Sequence, residues 1–223
     1  SVQRAVFLVE TKQHKDENAL ATIRNIFSAR TRDFITALDD SGIIVVRELQ
    51  STEGYEELDG IACMLVDMLN TEAMTSAWVS YSNAADDIMQ LSDAYKEART
   101  ALEVGKIFYA DKNVFGYNRL GIGRLIYQLP TTVCEMFLRE VFKQGSIESL
   151  DQETLFTIQR FFENNLNVSE TSRGLFVHRN TLVYRLEKIK KLTGLDLREF
   201  DDAIVFKVAL MVKKYLSNNP AKY

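Results

Sequence analysis

Residues 167 to 191, NVSETSRGLFVHRNTLVYRLEKIKK, hold two short stretches of helical periodicity separated by three or four residues. In the first, Val168, Ser172 and Leu175 fall at i, i+4 and i+7; in the second, Leu182, Leu186 and Ile189 repeat that spacing. Ser172 is small enough to let a second helix cross closely, and Val177 in the connector can plug the gap. Ser169 stands before an acidic first turn as a cap candidate. Helices this short are marginal alone, so each must bury its stripe against the other and against further helices, as in a helix-turn-helix.

If Leu182, Leu186 and Ile189 face inward, then Thr181, Tyr184, Arg185 and Lys188 project outward, with His178, Arg179 and Asn180 at the start of the second helix. Arg can contact guanine O6 and N7, Asn adenine N6 and N7, Thr or Tyr a phosphate or a thymine methyl, and Lys the backbone. Each residue also has a plainer reading. Asn180 can cap the helix, His178 can be satisfied within the turn, Tyr184 can pack on a neighbour, and Arg185 can pair with an acid elsewhere.

Charge sharpens the pattern. The whole chain carries −4, yet Arg173 to Lys191 holds six basic residues against Glu187 alone, a local +5 that leaves −9 for the remainder. A polyanion reader joined to a domain of another kind needs cations only at its docking face, although a solvated helix face would also be basic.

The first half reads differently. RAVFLVE is a short, almost continuously apolar run, as in a buried strand, followed by a helix over roughly 18 to 29. Two β-branched runs flank Asp39, Asp40, Ser41 and Gly42, the chemistry of a hairpin turn. A helix over 54 to 70 presents Leu58, Ile61, Ala62, Leu65, Val66 and Leu69 on one face; WVSYS is a strand, 86 to 108 a helix, and Asn113 to Tyr117 a final strand. The order β-α-β-β-α-β-α-β predicts an α+β domain of ferredoxin-like plan, with helices on one face of a largely antiparallel sheet. After Leu120 the pattern is helical, with a break over Gly145 to Leu150 and helices expected at 151 to 164, 168 to 176, 179 to 192 and 202 to 217, the last opened by Asp201 and Asp202. The expected organisation is therefore 1–120 α+β, 121–148 helical connector and 149–223 all-α.

The segment LFVHRNTLVYRLEKIKKLTGLDLREFDDAIVFKVALMV closely resembles the C-terminal helix-turn-helix of the PucR and sugar-diacid-regulator (CdaR-type) transcription factors. The H-R-N-T-L-x-Y-R-L signature is intact at His178 to Leu186, and T-G-L-D-L follows at Thr193 to Leu197. The two-helix core is also similar to the Fis-type DNA-binding unit. The resemblance implies contact with double-stranded DNA through His178, Arg179, Asn180, Thr181, Tyr184 and Arg185. Gly174 departs from what a helix interior favours, since glycine costs about 1 kcal/mol there relative to alanine.

Residues 1 to about 120 are similar to the GGDEF-like middle domain of that family, including the SDAYKEARTALEVGK helix and the NRLG turn. Cyclases of the true GGDEF type carry paired glycines and a glutamate in the central hairpin. Here the hairpin reads ALDDSGIIVV, and Glu10 is the only acid at the end of the first strand, so a degenerate, catalytically empty domain is expected.

Other chemistries find little support. His14 and His178 are the only histidines, so a histidine-rich metal site is excluded, and Gly121 to Gly123 lacks the third glycine of a dinucleotide fingerprint. Cys63 and Cys134 lie in apolar segments without CxxC spacing and read as core residues. No apolar run approaches a membrane span. The chain thus reads as a cytoplasmic, non-enzymatic DNA-binding regulator of a catabolic operon, without cofactor or metal. One reading helix covers a half-site, which predicts a homodimer or larger homo-oligomer. The start, SVQRAVFLVE, has no initiator Met and is expected to be part of a longer protein whose N-terminal sensor takes a small-molecule effector. The alternative is a metabolite- or nucleotide-binding sensor whose α+β domain is the active part.

Overall fold

The computed structural model describes residues 2–12, 17–27, 32–38, 42–49, 54–142 and 150–218. They form two compact units, Ser1–Gln128 and Leu129–Tyr223. The first runs β1 (Arg4–Thr11), α1 (Glu17–Phe27), β2 (Phe34–Ala37), β3 (Gly42–Glu48), α2 (Tyr55–Glu72), β4 (Ala77–Tyr81), α3 (Leu91–Phe108), β5 (Val114–Gly116) and α4 (Ile122–Tyr127). The sheet order is β2-β3-β1-β4-β5. All pairings are antiparallel except β4 with β5. This is the expected α+β alternation.

The helices do not share one face of that sheet, which corrects the sequence expectation. Phe7 and Val9 of β1 meet Ile23 of α1 and Leu58, Leu65 and Leu69 of α2. The alternate residues Val6 and Leu8 meet Ala94 and Ala98 of α3 on the opposite face. Burial of the five consecutive residues Ala5 to Val9 gives the reason: a continuous apolar strand has no side left for water, so the layers must close over both. Small residues bring α3 close, and Ser80 Oγ donates to the Ala98 carbonyl at 2.7 Å. Each fully buried leucine of α2 contributes roughly 2 kcal/mol of apolar burial.

The β2–β3 hairpin is closed by the Leu38 N–H donating to the Gly42 carbonyl at 2.8 Å. Asp39, Asp40 and Ser41, read as its turn, lie outside the described residues, as do His14 and most of the break expected over Gly145 to Leu150. Cys134 is buried as expected, but Cys63 is exposed. It falls between the buried positions of α2, one residue beyond Ala62 on a helix whose apolar stripe turns away from it.

The second unit contains α5 (Thr131–Val141), α6 (Gln152–Glu163), α7 (Val168–Gly174), α8 (Arg179–Thr193) and α9 (Phe200–Asn218). Its core joins Ile158 and Phe161 of α6, Leu182, Leu186 and Ile189 of α8, Leu197, and Phe206 of α9. The expected connector contributes to both units: α4 packs on α3, and α5 packs along α9. Helix α9 starts at Phe200, earlier than expected, and Asp202 uses its carboxylate to accept the Asp196 N–H at 2.8 Å. No helix among the described residues is long and apolar enough to cross a membrane.

Candidate nucleic-acid interface

Helix α7 is capped by Asn167, whose side-chain oxygen accepts the N–H groups of Ser169 at 3.0 Å and Glu170 at 3.1 Å. The sequence pointed instead to Ser169, which is the second residue of the helix. Four orphan N–H groups at any helix start reward an acceptor at the residue just outside the first turn, and Asn167 is that residue. The other end closes when Val177 N–H donates to the Ser172 carbonyl at 3.0 Å and Phe176 N–H to that of Arg173 at 3.1 Å. This paired closure places Phe176 in the left-handed region, φ 55. Gly174 is the last residue of α7, with space around a Cβ, so it carries no helix-interior penalty.

The connector delivers His178 as the N-cap of α8, its Nδ1 accepting the Asn180 N–H at 3.2 Å. Asn180 is therefore not the cap. An accepting Nδ1 leaves the proton of a neutral imidazole on Nε2, so exposed His178 offers a donor to solvent. At its far end α8 stops at Gly194, φ 82, where the N–H donates to the Lys190 carbonyl at 2.8 Å, and Lys190 and Lys191 complement the last-turn dipole.

Between these caps the helix has two faces. Leu182, Leu186 and Ile189 are fully buried. His178, Arg179, Asn180, Thr181, Tyr184 and Lys188 are exposed, Tyr184 by 71%, which removes the reading in which its ring packs on a neighbouring helix. Arg179 Nη1 donates to Ser169 Oγ at 2.5 Å, tying the first residue of α8 to the first turn of α7. Lys188 Nζ lies 3.6 Å from Asp151, the N-cap of α6, whose carboxyl is held below the usual range chiefly by the Thr154 N–H.

Arg185 behaves differently. Its guanidinium pairs with Glu153 and donates to Thr157 Oγ1 at 3.1 Å, both on α6, and it is only partly exposed. The plainer reading of Arg185 is the one this geometry presents. Its partners lie 28 and 32 residues away, beyond the reach of helical periodicity.

A second network fixes the α8–α9 corner. Asp196, nearly buried, accepts from Arg198 Nε at 2.8 Å and Nη2 at 2.7 Å and from Lys190 Nζ at 3.1 Å. The Arg198 guanidinium holds the Asp196 carboxyl well below the usual carboxylate range. Arg198 also pairs with Glu187. Sequence reading missed both residues, although T-G-L-D-L contains Asp196.

In the first unit Glu10, the acid at the end of β1, is held by Lys106 Nζ at 2.5 Å. That lysine and Lys12 lie 4.9 and 4.6 Å from the centre of the Trp78 ring. Glu10 thus has its counter-ion within the first unit. Among the described residues no three His, Cys, Asp or Glu side chains converge as a metal site.

Residues 154–212 match the family model of the PucR C-terminal helix-turn-helix domain, and residues 1–104 match that of a GGDEF-like domain. The purine catabolism regulatory protein of Bacillus subtilis is 26% identical over 181 residues, 79% of this chain and 34% of that protein. The carbohydrate diacid regulator of Escherichia coli is 32% identical over 137 residues, 60% of this chain and 35% of that protein. The proline-responsive transcriptional activator PutR of Bacillus subtilis is 23% identical over 209 residues, 89% of this chain and 50% of that protein. The chain thus spans between about a third and a half of the length of these relatives. All three are named as regulators or activators.

Proposed function

The chain belongs to the PucR and carbohydrate diacid regulator family of transcription factors, and from that premise we propose that it is a DNA-binding regulator of a catabolic operon that reads DNA with α8 from Arg179. One observation carries the reading: α8 buries Leu182, Leu186 and Ile189 completely while His178 to Thr181 and Tyr184 stand in solvent at and beyond its N-terminus. The N-terminal part of a second helix is the part that enters a major groove.

Within that reading Arg179 and Asn180 recognise base edges, and Thr181 and Tyr184 contact phosphate or a thymine methyl. His178 donates from Nε2, and Lys188 anchors the backbone. Arg185 serves mainly by positioning α8 against α6, given its contacts with Glu153 and Thr157. We assign the reader to 149–223 and a coupling role without catalysis to the GGDEF-like region 1–120, with 121–148 between them.

A single reading helix covers one half-site, so the working form is a homodimer or larger homo-oligomer in the cytoplasm. Val133 and Met136, exposed three residues apart on α5, offer apolar surface to a second copy. A small-molecule effector acts through protein beyond these 223 residues, a proposal that rests on the longer relatives.

Selection of duplexes from a random pool, followed by salt titration, tests this function. Enriched, sequence-preferring binding that weakens steeply with salt is expected. Equal binding of selected and scrambled duplexes at low salt would refute it. Genome-wide mapping of bound sites then identifies the operon.

A further inference from the structure

Among the described residues four that are not glycine have positive φ: Met74, Asn165, Leu166 and Phe176. An L side chain in that region costs conformational energy that packing normally offsets. Leu166 follows the rule, since its side chain packs against the core of the second unit. Phe176 does not: it is 96% exposed. The helix closure at this point demands a left-handed residue, a place that glycine fills without strain, yet the chain carries one of its largest apolar side chains there.

Exposure and strain alone do not mark a contact, because Met74 shares both in the first unit. Position and charge separate the two. Phe176 lies in the connector of the helix-turn-helix, two residues before the N-cap of α8, and the exposed cations Arg173 and Arg179 stand three residues to either side. Met74 has Glu72 as its nearest charged neighbour in sequence and no cation within three residues. An apolar ring set among cations suits a polyanion that also presents apolar surface, and the deoxyribose faces of a DNA backbone have that character.

We propose that Phe176 is a DNA-contacting residue, packing its ring on the sugar-phosphate backbone beside the groove that α8 enters. This inference rests on the DNA-reading function proposed above. The ring is uncharged, so its contact adds affinity without releasing counterions, and it touches sugar, so it acts on all sequences alike.

The test compares the wild-type chain with F176G and F176Y on a duplex selected by the wild type from a random 30-base-pair pool and on its scrambled counterpart. F176G is expected to bind both duplexes roughly tenfold more weakly, with an unchanged salt slope and a melting temperature no lower than wild type. F176Y keeps the ring and is expected to retain affinity. Wild-type affinity in F176G, or a lowered melting temperature, overturns the assignment while leaving the reading helix in place. Unchanged DNA affinity with lost self-association overturns it in favour of a protein contact. Failure of the wild type to show sequence-preferring, salt-dependent binding removes the DNA-reading function and this inference together.

Discussion

Arg185 on α8 donates to Thr157 Oγ1 on α6 at 3.1 Å, and the same guanidinium pairs with Glu153 one turn earlier. A residue that helical periodicity assigns to the outer face is thereby turned to a neighbouring helix. The helix proposed to read DNA is thus tied to α6 by a side chain of its own H-R-N-T-L-x-Y-R-L segment.

From this contact follows a separation of stability from binding. Arg185→Ala is expected to destabilise the helical unit by about 1 kcal/mol, and a double-mutant cycle with Glu153→Ala to recover a coupling of about 0.5 kcal/mol. Denaturant unfolding without DNA measures both. A wild-type midpoint in Arg185→Ala would return the residue to the DNA-facing set.

Arg179 and Lys188 should fail in different ways. Arg179→Ala is expected to lose about 1–3 kcal/mol of discrimination at one base position. Lys188→Ala should weaken all duplexes similarly and lower the salt slope by about 1. Competition binding against single-base variants distinguishes them, and matching profiles would contradict the roles assigned here.

Thr171 on α7 is fully buried, and its Oγ1 has no hydrogen-bond partner. Replacing such a hydroxyl with a methyl group of the same shape removes a desolvation cost. Thr171→Val is expected to stabilise the unit by about 1 kcal/mol, read as a higher denaturant midpoint. A lower midpoint would mean that the hydroxyl has a partner in solution.

Asp196 makes the α8–α9 corner acid-sensitive. Its carboxyl titrates below its unfolded value because Arg198 and Lys190 favour the charged form. Its stabilisation is therefore complete above the unfolded value, about pH 4, and is lost as pH falls through the lower folded one. Asp196→Asn is expected to cost about 2 kcal/mol at pH 7, with the difference from wild type shrinking as pH falls below about 4. Hydrogen exchange at α8 and α9 amides across that range reads the effect. A difference independent of pH would show that the charge is not what stabilises the corner.

Much of the fold was legible because local chemistry decides it. The stripe of Leu182, Leu186 and Ile189 and the β-α-β-β-α-β-α-β alternation each depend on residues within a few positions of one another. The errors have a common cause. Sequence alone does not single out Asn167 as the cap, because Ser169 is an equally good chemical acceptor two residues on and only the backbone of the turn selects between them. The apolar neighbourhood of Cys63 predicts a core residue, whereas its angular position on α2 exposes it.

The sequence by itself determined that two short amphipathic helices meet in a helix-turn-helix, that cations gather there on an acidic chain, and that an α+β domain precedes them. Periodicity, charge and turn chemistry are local, and they can be read without coordinates. Tertiary structure alone decided which outward-reading side chains are available. Arg185 is engaged by α6, Arg179 is tied to Ser169, Tyr184 stands free of the core, and Phe176 is left strained and bare in the turn. Those outcomes depend on partners that are far away in sequence or on the precise dihedrals of a helix closure, and neither is encoded in the spacing of residues along one helix.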